Sequence, residues 1–286
     1  MNTNASVNGG KKQASLEIKN ISRAFGDEWS KEEIIRDFSL TVEPGKLTVL
    51  VGPSGCGKST LVNLVAGFDR PDTGEILIDG KRITGPGHDR MVVFQETALM
   101  PWQTTRQNVV FGPKLRGERP NVEIDAEADR LLDKVGLAEF KDKFPIQLSG
   151  GMQRRAELAR AMINHPLLMI MDEPFRGLDA MSRELMQEFF VRLFEENRRT
   201  NLFVTSEIEE AIFLADRIVV LSNRPTSVRK VIDINLPRPR DFHMLSSAEA
   251  YEHKREAMEL LHEEAMRSFN RPSGGRGMAM PVAGGH

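Results

Sequence analysis

"KLTVLVGPSGCGKSTLVNLVAGF", Lys46 to Phe68, is the stretch that decides the fold. It opens on an apolar, β-rich run, turns through a glycine-rich loop and continues with helical spacing. Gly52 to Ser59 fits G-x-x-x-x-G-K-[ST], and a strand before it with a helix after it is the context this motif needs. The glycines let backbone N–H groups converge on phosphate oxygens, and the helix N-terminus adds positive potential. Lys58 is then expected at the β- and γ-phosphates of a nucleotide and Ser59 at Mg²⁺. The expected binding loop is Gly52, Pro53, Ser54, Gly55, Cys56, Gly57, Lys58, Ser59 and Thr60. A glycine-rich turn without a ligand is the competing account, and both flanks weigh against it.

Outward from this stretch, strands alternate with helices. "LEIKNISRAF" alternates apolar and polar residues like a half-buried strand, and "GEILIDGKRI" reads as a hairpin around Asp79-Gly80. "RMVVF", "LLMIM", "LFVT" and "RIVVLS" are further strand signals. From about Thr97 to Pro166 the character is helical, with "EIDAEADRLLDKVGL" the clearest amphipathic segment. Another helix is expected from about Met181 to Arg198. This order favours an α/β fold with a largely parallel sheet covered on both faces.

The 286 residues carry a net charge of −2, so no global basic field recruits nucleic acid. A lone cysteine, Cys56, excludes an internal disulfide framework and fits a reducing compartment. No run reaches the ~18 apolar residues that span a bilayer, and "MNTNASVNGGKKQ" has no apolar core of a secretory signal. A soluble intracellular protein is expected, able to dock on a membrane partner. Past "LPRPRDF", a charged helix pattern leads into a Gly/Pro-rich end whose His and Met residues are better read as a loose tail than as a metal site.

"LLMIMDEP" puts Asp172 and Glu173 at the C-terminal end of a buried strand, the edge where open α/β sheets bind ligands. Asp172 suits the surroundings of Mg²⁺, and Glu173 suits a base that polarises water. Two helix-capping acids are the competing account. "LSGGMQRRAELARAM", Leu148 to Met162, adds a second anion nest at a helix start. One nucleotide needs one nest, so the second needs a separate explanation.

With these residues the chain resembles the ATPase subunit of an ATP-binding cassette (ABC) transporter, over about residues 15 to 235. The resemblance implies a P-loop NTPase (RecA-like) core with an antiparallel β subdomain and an inserted helical subdomain. It makes residues 14–238 an ATPase domain (helical subdomain about 97–166), while composition and pattern set off a disordered N-terminus (1–13), a C-terminal helix (247–269) and a flexible tail (270–286). The resemblance implies ATP and Mg²⁺ as cofactors. Two subunits, alike or different, pair head to tail, and each ATP lies between one phosphate loop and the partner's Ser149, Gly150 and Gly151. Closing and reopening drive a transmembrane permease fed by a periplasmic or extracellular solute-binding protein. The expected location is peripheral, on the cytoplasmic face of the cell membrane, without nucleic acid.

Further roles come from the resemblance. Gln95 in "VVFQE" matches the glutamine that senses Mg²⁺ and the attacking water. Phe25 in "SRAFG" matches the aromatic that stacks on adenine, against core packing as the alternative; Trp29 is a weaker candidate. Asp179 in "GLDAMSR" falls at the subunit interface. "LMPWQTTRQNV" resembles importers of nitrate, sulfonates, taurine and similar small anions, and Trp102 there lies near the permease groove or is a buried helical-subdomain residue. DNA- or ribosome-directed cassettes usually carry two cassettes, a long coiled coil or a basic patch, which this chain lacks.

Two positions depart from the family. "FVTSEIEEA" has Ser206 where a histidine normally contacts the γ-phosphate, with Glu207 following. A short neutral hydroxyl cannot reproduce that electrostatic contact; it can cap the following helix. The loss of one preorganised donor costs ~3 kcal/mol, so the expectation is a slow but competent ATPase, with Ser206 at the catalytic position. The alternatives are a weakly hydrolysing cassette paired with a second ATPase subunit, or a regulatory cassette. Arg176 in "DEPFRGLD" stands where a small residue is usual and either alters the surroundings of Glu173, contacts a partner or lies in solvent.

Overall fold

The strands divide into two sheets. β1 (Leu16–Phe25), β2 (Glu32–Val42), β4 (Thr73–Ile78) and β5 (Lys81–Arg82) form an antiparallel sheet in the order β2-β1-β4-β5. The Asp79-Gly80 hairpin falls where the sequence predicts it, with Ile78 paired to Lys81. β2 has no clean sequence signal. Two consecutive isoleucines, Ile34 and Ile35, are buried, and Asp37 then takes a positive φ of 45° where the ladder shifts register. An inserted residue of this kind breaks the period-2 pattern that marks a strand.

The second sheet holds β3 (Leu47–Val51), β6 (Arg90–Val93), β7 (Leu168–Asp172), β8 (Thr200–Thr205), β9 (Arg217–Leu221) and β10 (Val228–Asp233) in the order β10-β9-β3-β8-β7-β6. All neighbours are parallel except β10, which is antiparallel to β9. β10 is an edge strand with only Ile232 buried, so no apolar run announces it. The computed structural model describes residues 13–27, 30–117 and 119–269. The N-terminal segment 1–12, Trp29 and the tail 270–286 lie outside the described residues.

Alternation along the parallel strands feeds two cores. Leu50, Ile170, Leu202 and Val219 face the antiparallel sheet and α1 (Lys58–Ala66). Val49, Met171, Phe203 and Ile218 face the opposite layer, which includes α5 (Ala180–Glu196) and α6 (Ile208–Leu214). Between β6 and β7 the chain builds α2 (Thr105–Arg116), α3 (Asn121–Lys134) and α4 (Gly150–Met162), which share their own cluster around Val109, Ile124, Leu132 and Ala159. α3 starts two residues before the predicted amphipathic segment and stops early. Gly136 adopts a left-handed φ of 67° and Leu137 N–H turns back to the Leu132 carbonyl.

The charged C-terminal segment forms α7 (Ala248–Phe269), which covers the chain's own α6 and β9. Ala250 and Ala257 are buried in the shared core, and Phe242 ahead of the helix stacks on Phe213 at 4.2 Å. Phe203 is fully buried, with ring centroids 5.7 Å from Phe175 and 5.9 Å from Phe190. Truncating it removes the centre of this aromatic group. Phe203→Ala is expected to cost about 3–5 kcal/mol, lowering the calorimetric melting temperature by about 2–4 °C for each kcal/mol.

Candidate functional site

The parallel register sets the site. Val51 pairs with Thr205, Asp172 with Val204, and Val93 with Met171, so the C-terminal ends of β3, β8, β7 and β6 form one edge. The phosphate loop, Ser206, Glu173 and Gln95 follow these four ends in turn. Neighbouring strands are about 4.8 Å apart, so segments distant in sequence stand side by side.

Within the phosphate loop, Gly57 holds φ at 117°, and an added Cβ would lie 2.9 Å from both Ile34 Cγ2 and Thr226 Oγ1. Glycine is required there on both grounds. Lys58 opens α1, is buried, and donates from Nζ to the carbonyls of Gly52 at 2.9 Å and Pro53 at 3.1 Å. The same ammonium lies 3.9 Å from Glu173 Oε1. Asp172 and Ser59, two strands apart, hydrogen-bond through their side chains. Burial pushes the Asp172 carboxyl above its ordinary value; the Ser59 hydrogen bond opposes this, Glu173 adds to it and Lys58 counters it.

Glu173 is strained and clamped. Its φ is 44°, a left-handed conformation uncommon for a non-glycine residue. Arg176 donates its backbone N–H to the Glu173 carbonyl at 3.1 Å and its Nη1 to Glu173 Oε2 at 2.7 Å. The solvent-exposed and environment-altering readings of Arg176 therefore both hold: its side chain is 59% exposed and paired with Glu173. Glu173, Arg176, Ser206 and Glu207 line one cavity of about 130 Å³ together with Phe175, Arg183, Thr205 and Glu210.

The helix-capping expectation for Ser206 is corrected. The residue before α6 is Glu207, which makes no side-chain cap bond, and Ser206 is exposed. Thr205 closes the turn instead, its Oγ1 accepting from Glu207 N–H at 3.0 Å. The hydroxyl at the strand end reaches an amide two residues on, which leaves Ser206 turned to the cavity wall.

Ser149, Gly150 and Gly151 sit in a different place. Ser149 caps α4 by accepting from Met152 N–H at 3.3 Å, and Asp179 caps α5 by accepting from Ser182 N–H at 3.0 Å. Hydrogen bonds from the Ser182 side chain and then from its N–H hold the Asp179 carboxyl below its ordinary value. Both caps line a concavity of about 550 Å³ whose other walls include Arg155, Leu185 and Arg192 and no phosphate-loop residue. Two nests thus open onto two separate surfaces of one chain.

A family model described as "ABC transporter" matches residues 35–176. An uncharacterised ABC transporter ATP-binding protein of Methanocaldococcus jannaschii is 39% identical over 90% of this chain and 95% of its own. The chain belongs to the ABC transporter family. A taurine import ATP-binding protein of Roseobacter denitrificans is 45% identical over 75% of this chain and 80% of its own. A nitrate import ATP-binding protein of Synechocystis sp. is 43% identical over 78% and 83%. A dimeric, post-hydrolysis ATP-binding cassette bound to ADP and Pi superposes with a TM-score of 0.66 at 26% identity, covering 78% of this chain and 100% of that one.

The remaining site residues of this cassette are dispersed. Gln95 is exposed, and its carbonyl accepts from Arg154 Nη2 at 2.7 Å. Arg154 also donates to Phe94 O at 2.7 Å and to Glu157 at 2.6 Å, while Glu157 accepts from Ala98 N–H at 2.6 Å. α4 therefore carries the Ser149 nest at its start and grips the Gln95 segment from its middle. Phe25 is 44% exposed at the end of β1, with the Arg23 guanidinium 4.6 Å from its ring centroid, so core packing does not account for it. Trp102 is 73% exposed, which excludes the buried alternative. Thr226, which no motif marks, joins three segments. It donates N–H to Ile34 O at 2.7 Å, accepts from Arg36 N–H and donates its hydroxyl to the Cys56 carbonyl in the phosphate loop. Its loop is tied to α7, where Glu264 accepts from Asn223 N–H at 2.9 Å.

Proposed function

We propose that this chain is the ATP-hydrolysing subunit of an ABC importer that powers uptake of a small anion of the nitrate, sulfonate or taurine kind through a membrane permease. The observation that carries the reading is the separation of the two nests. A single nucleotide can meet a phosphate loop and a Ser149–Gly151 nest only when two subunits face each other. The similarity to taurine and nitrate import ATP-binding proteins supports the anion class, and the exposed Trp102 supports a docking face near a permease. No helix among the described residues is long and apolar enough to cross a membrane, so in this reading the permease is a separate chain.

In this reading the phosphate loop and Lys58 hold the β- and γ-phosphates, and Phe25 stacks on the base. Ser59 and Asp172, already hydrogen-bonded to each other, supply two of the oxygens a hard cation prefers, and Gln95 stands on the neighbouring loop. These residues would hold Mg²⁺ there, and its charge would offset that of the transferring phosphate. Glu173 accepts the proton of the attacking water. The partner's nest closes the site, and ATP-dependent pairing moves the permease.

Light scattering on the purified full chain tests this. ATP with Mg²⁺ should double the mass, and a charged block in the nest, Gly151→Asp, should leave nucleotide binding intact and abolish the doubling. A wild-type chain that stays monomeric at saturating ATP, or a Gly151→Asp chain that still doubles, would refute the composite site.

Ser206 favours a slow rate. A histidine introduced there supplies a donor of longer reach that can carry charge. Ser206→His is expected to raise turnover by about tenfold or more, with the 10²–10³ that one preorganised donor is worth as the upper limit. Phosphate release by the full chain measures it. An unchanged rate means that the cavity is already complete around serine, and a wild-type chain silent even with its permease favours the regulatory alternative.

A further inference from the structure

We infer that Arg176 is a positioning residue for the hydrolytic step, fixing the Glu173 carboxylate so that Oε1 alone is presented to the phosphate side. The inference rests on Glu173 being the base. Its observations are geometric. Oε2 is occupied by Arg176 Nη1 at 2.7 Å, whereas Oε1 stands 3.9 Å from Lys58 Nζ, too long for a hydrogen bond, so Lys58 leaves its lone pairs available on the phosphate side.

The turn itself builds the clamp. Glu173 in its left-handed conformation and the Arg176 N–H to Glu173 carbonyl bond bring positions 173 and 176 together before their side chains meet. A base works best when a third group orients it, and a planar guanidinium does so through fixed donors. Ser206, on the same cavity wall, is neutral and brings no positive charge to the carboxylate. Arg176 is the residue of this wall whose side chain hydrogen-bonds the Glu173 carboxylate, so the orienting task falls to it. Its exposure also lets the side chain be replaced without opening the core.

The test is steady-state and single-turnover ATP hydrolysis by the full chain carrying Arg176→Ala, Arg176→Lys, Glu173→Gln and the double change Glu173→Gln with Arg176→Ala. Arg176→Ala is expected to lower kcat by about 10- to 100-fold, an order set by loss of an oriented group, with KM for ATP within about threefold of wild type. Arg176→Lys should restore part of the rate, because an ammonium keeps the charge and loses the fork. In the Glu173→Gln background, Arg176→Ala should have no further effect. Unchanged or raised kcat in Arg176→Ala, with Glu173→Gln strongly impaired, overturns the positioning role and leaves the base reading intact. Equal additional loss in both backgrounds also overturns it, since Arg176 would then act without Glu173. Wild-type turnover in Glu173→Gln refutes the base reading itself. A lowered melting temperature with kcat and KM both impaired assigns Arg176 to stability and overturns the inference.

Discussion

Glu173→Gln is expected to lose about 10²–10⁴ in ATP turnover, the worth of a positioned general base. At about 1.4 kcal/mol for each factor of ten, that is about 3–5 kcal/mol in the barrier. The amide keeps the volume of the side chain and loses the proton-accepting charge. It also weakens the contacts that Lys58 and Arg176 make to the carboxylate, at 3.9 Å and 2.7 Å. Neither contact holds the core together, so the fold should survive. Binding should survive as well, because the phosphate loop is untouched. With hydrolysis blocked and binding intact, the paired state has no exit, and ATP should trap a dimer that persists through gel filtration. Wild-type turnover, or a variant that never dimerises with ATP, would remove Glu173 from the role of base.

Lys58→Ala should have the opposite signature. The ammonium is buried and anchored to the carbonyls of Gly52 and Pro53, which aims it across the mouth of the loop. Hydrogen bonds to charged groups are worth about 1.5–3 kcal/mol, so nucleotide affinity should fall by about tenfold or more. Turnover should fall by a further 10²–10³ for the lost donor at the transferring phosphate. Titration with a fluorescent ATP analogue separates the two variants: Glu173→Gln binds and closes, whereas Lys58→Ala binds poorly and does not close. Lys58→Arg should not rescue, because a planar fork does not replace a compact point charge between two carbonyls. Unaltered affinity in Lys58→Ala would detach the motif from phosphate binding.

Both changes act on residues that stand out in the sequence, and the reason is local chemistry. Gathering backbone N–H groups around a phosphate needs consecutive residues with special φ, so Gly52 to Ser59 is legible as a string. The strand β1 and the Asp79-Gly80 hairpin are legible for the same reason, since period-2 alternation and turn chemistry are properties of neighbours. β2 is not, because the irregularity at Asp37 offsets its alternation, and β10 is not, because an edge strand buries a single residue. The Ser206 cap fails for a reason of one hydroxyl. Thr205 satisfies the amide first, and nothing in "VTSE" ranks the two side chains.

The sequence by itself determined that this chain carries a phosphate loop, an acidic pair after a buried strand and a second nest, and that these form a cassette. Each of those features is written in contiguous residues. Tertiary structure alone decided which side chains meet. The order β3-β8-β7 carries Ser59 to Asp172 and Lys58 to Glu173, the positive φ at Glu173 closes Arg176 onto its carboxylate, and Thr226 ties the phosphate loop to β2. Those contacts depend on strand order and on backbone conformations set by packing, and spacing along the chain carries no record of either.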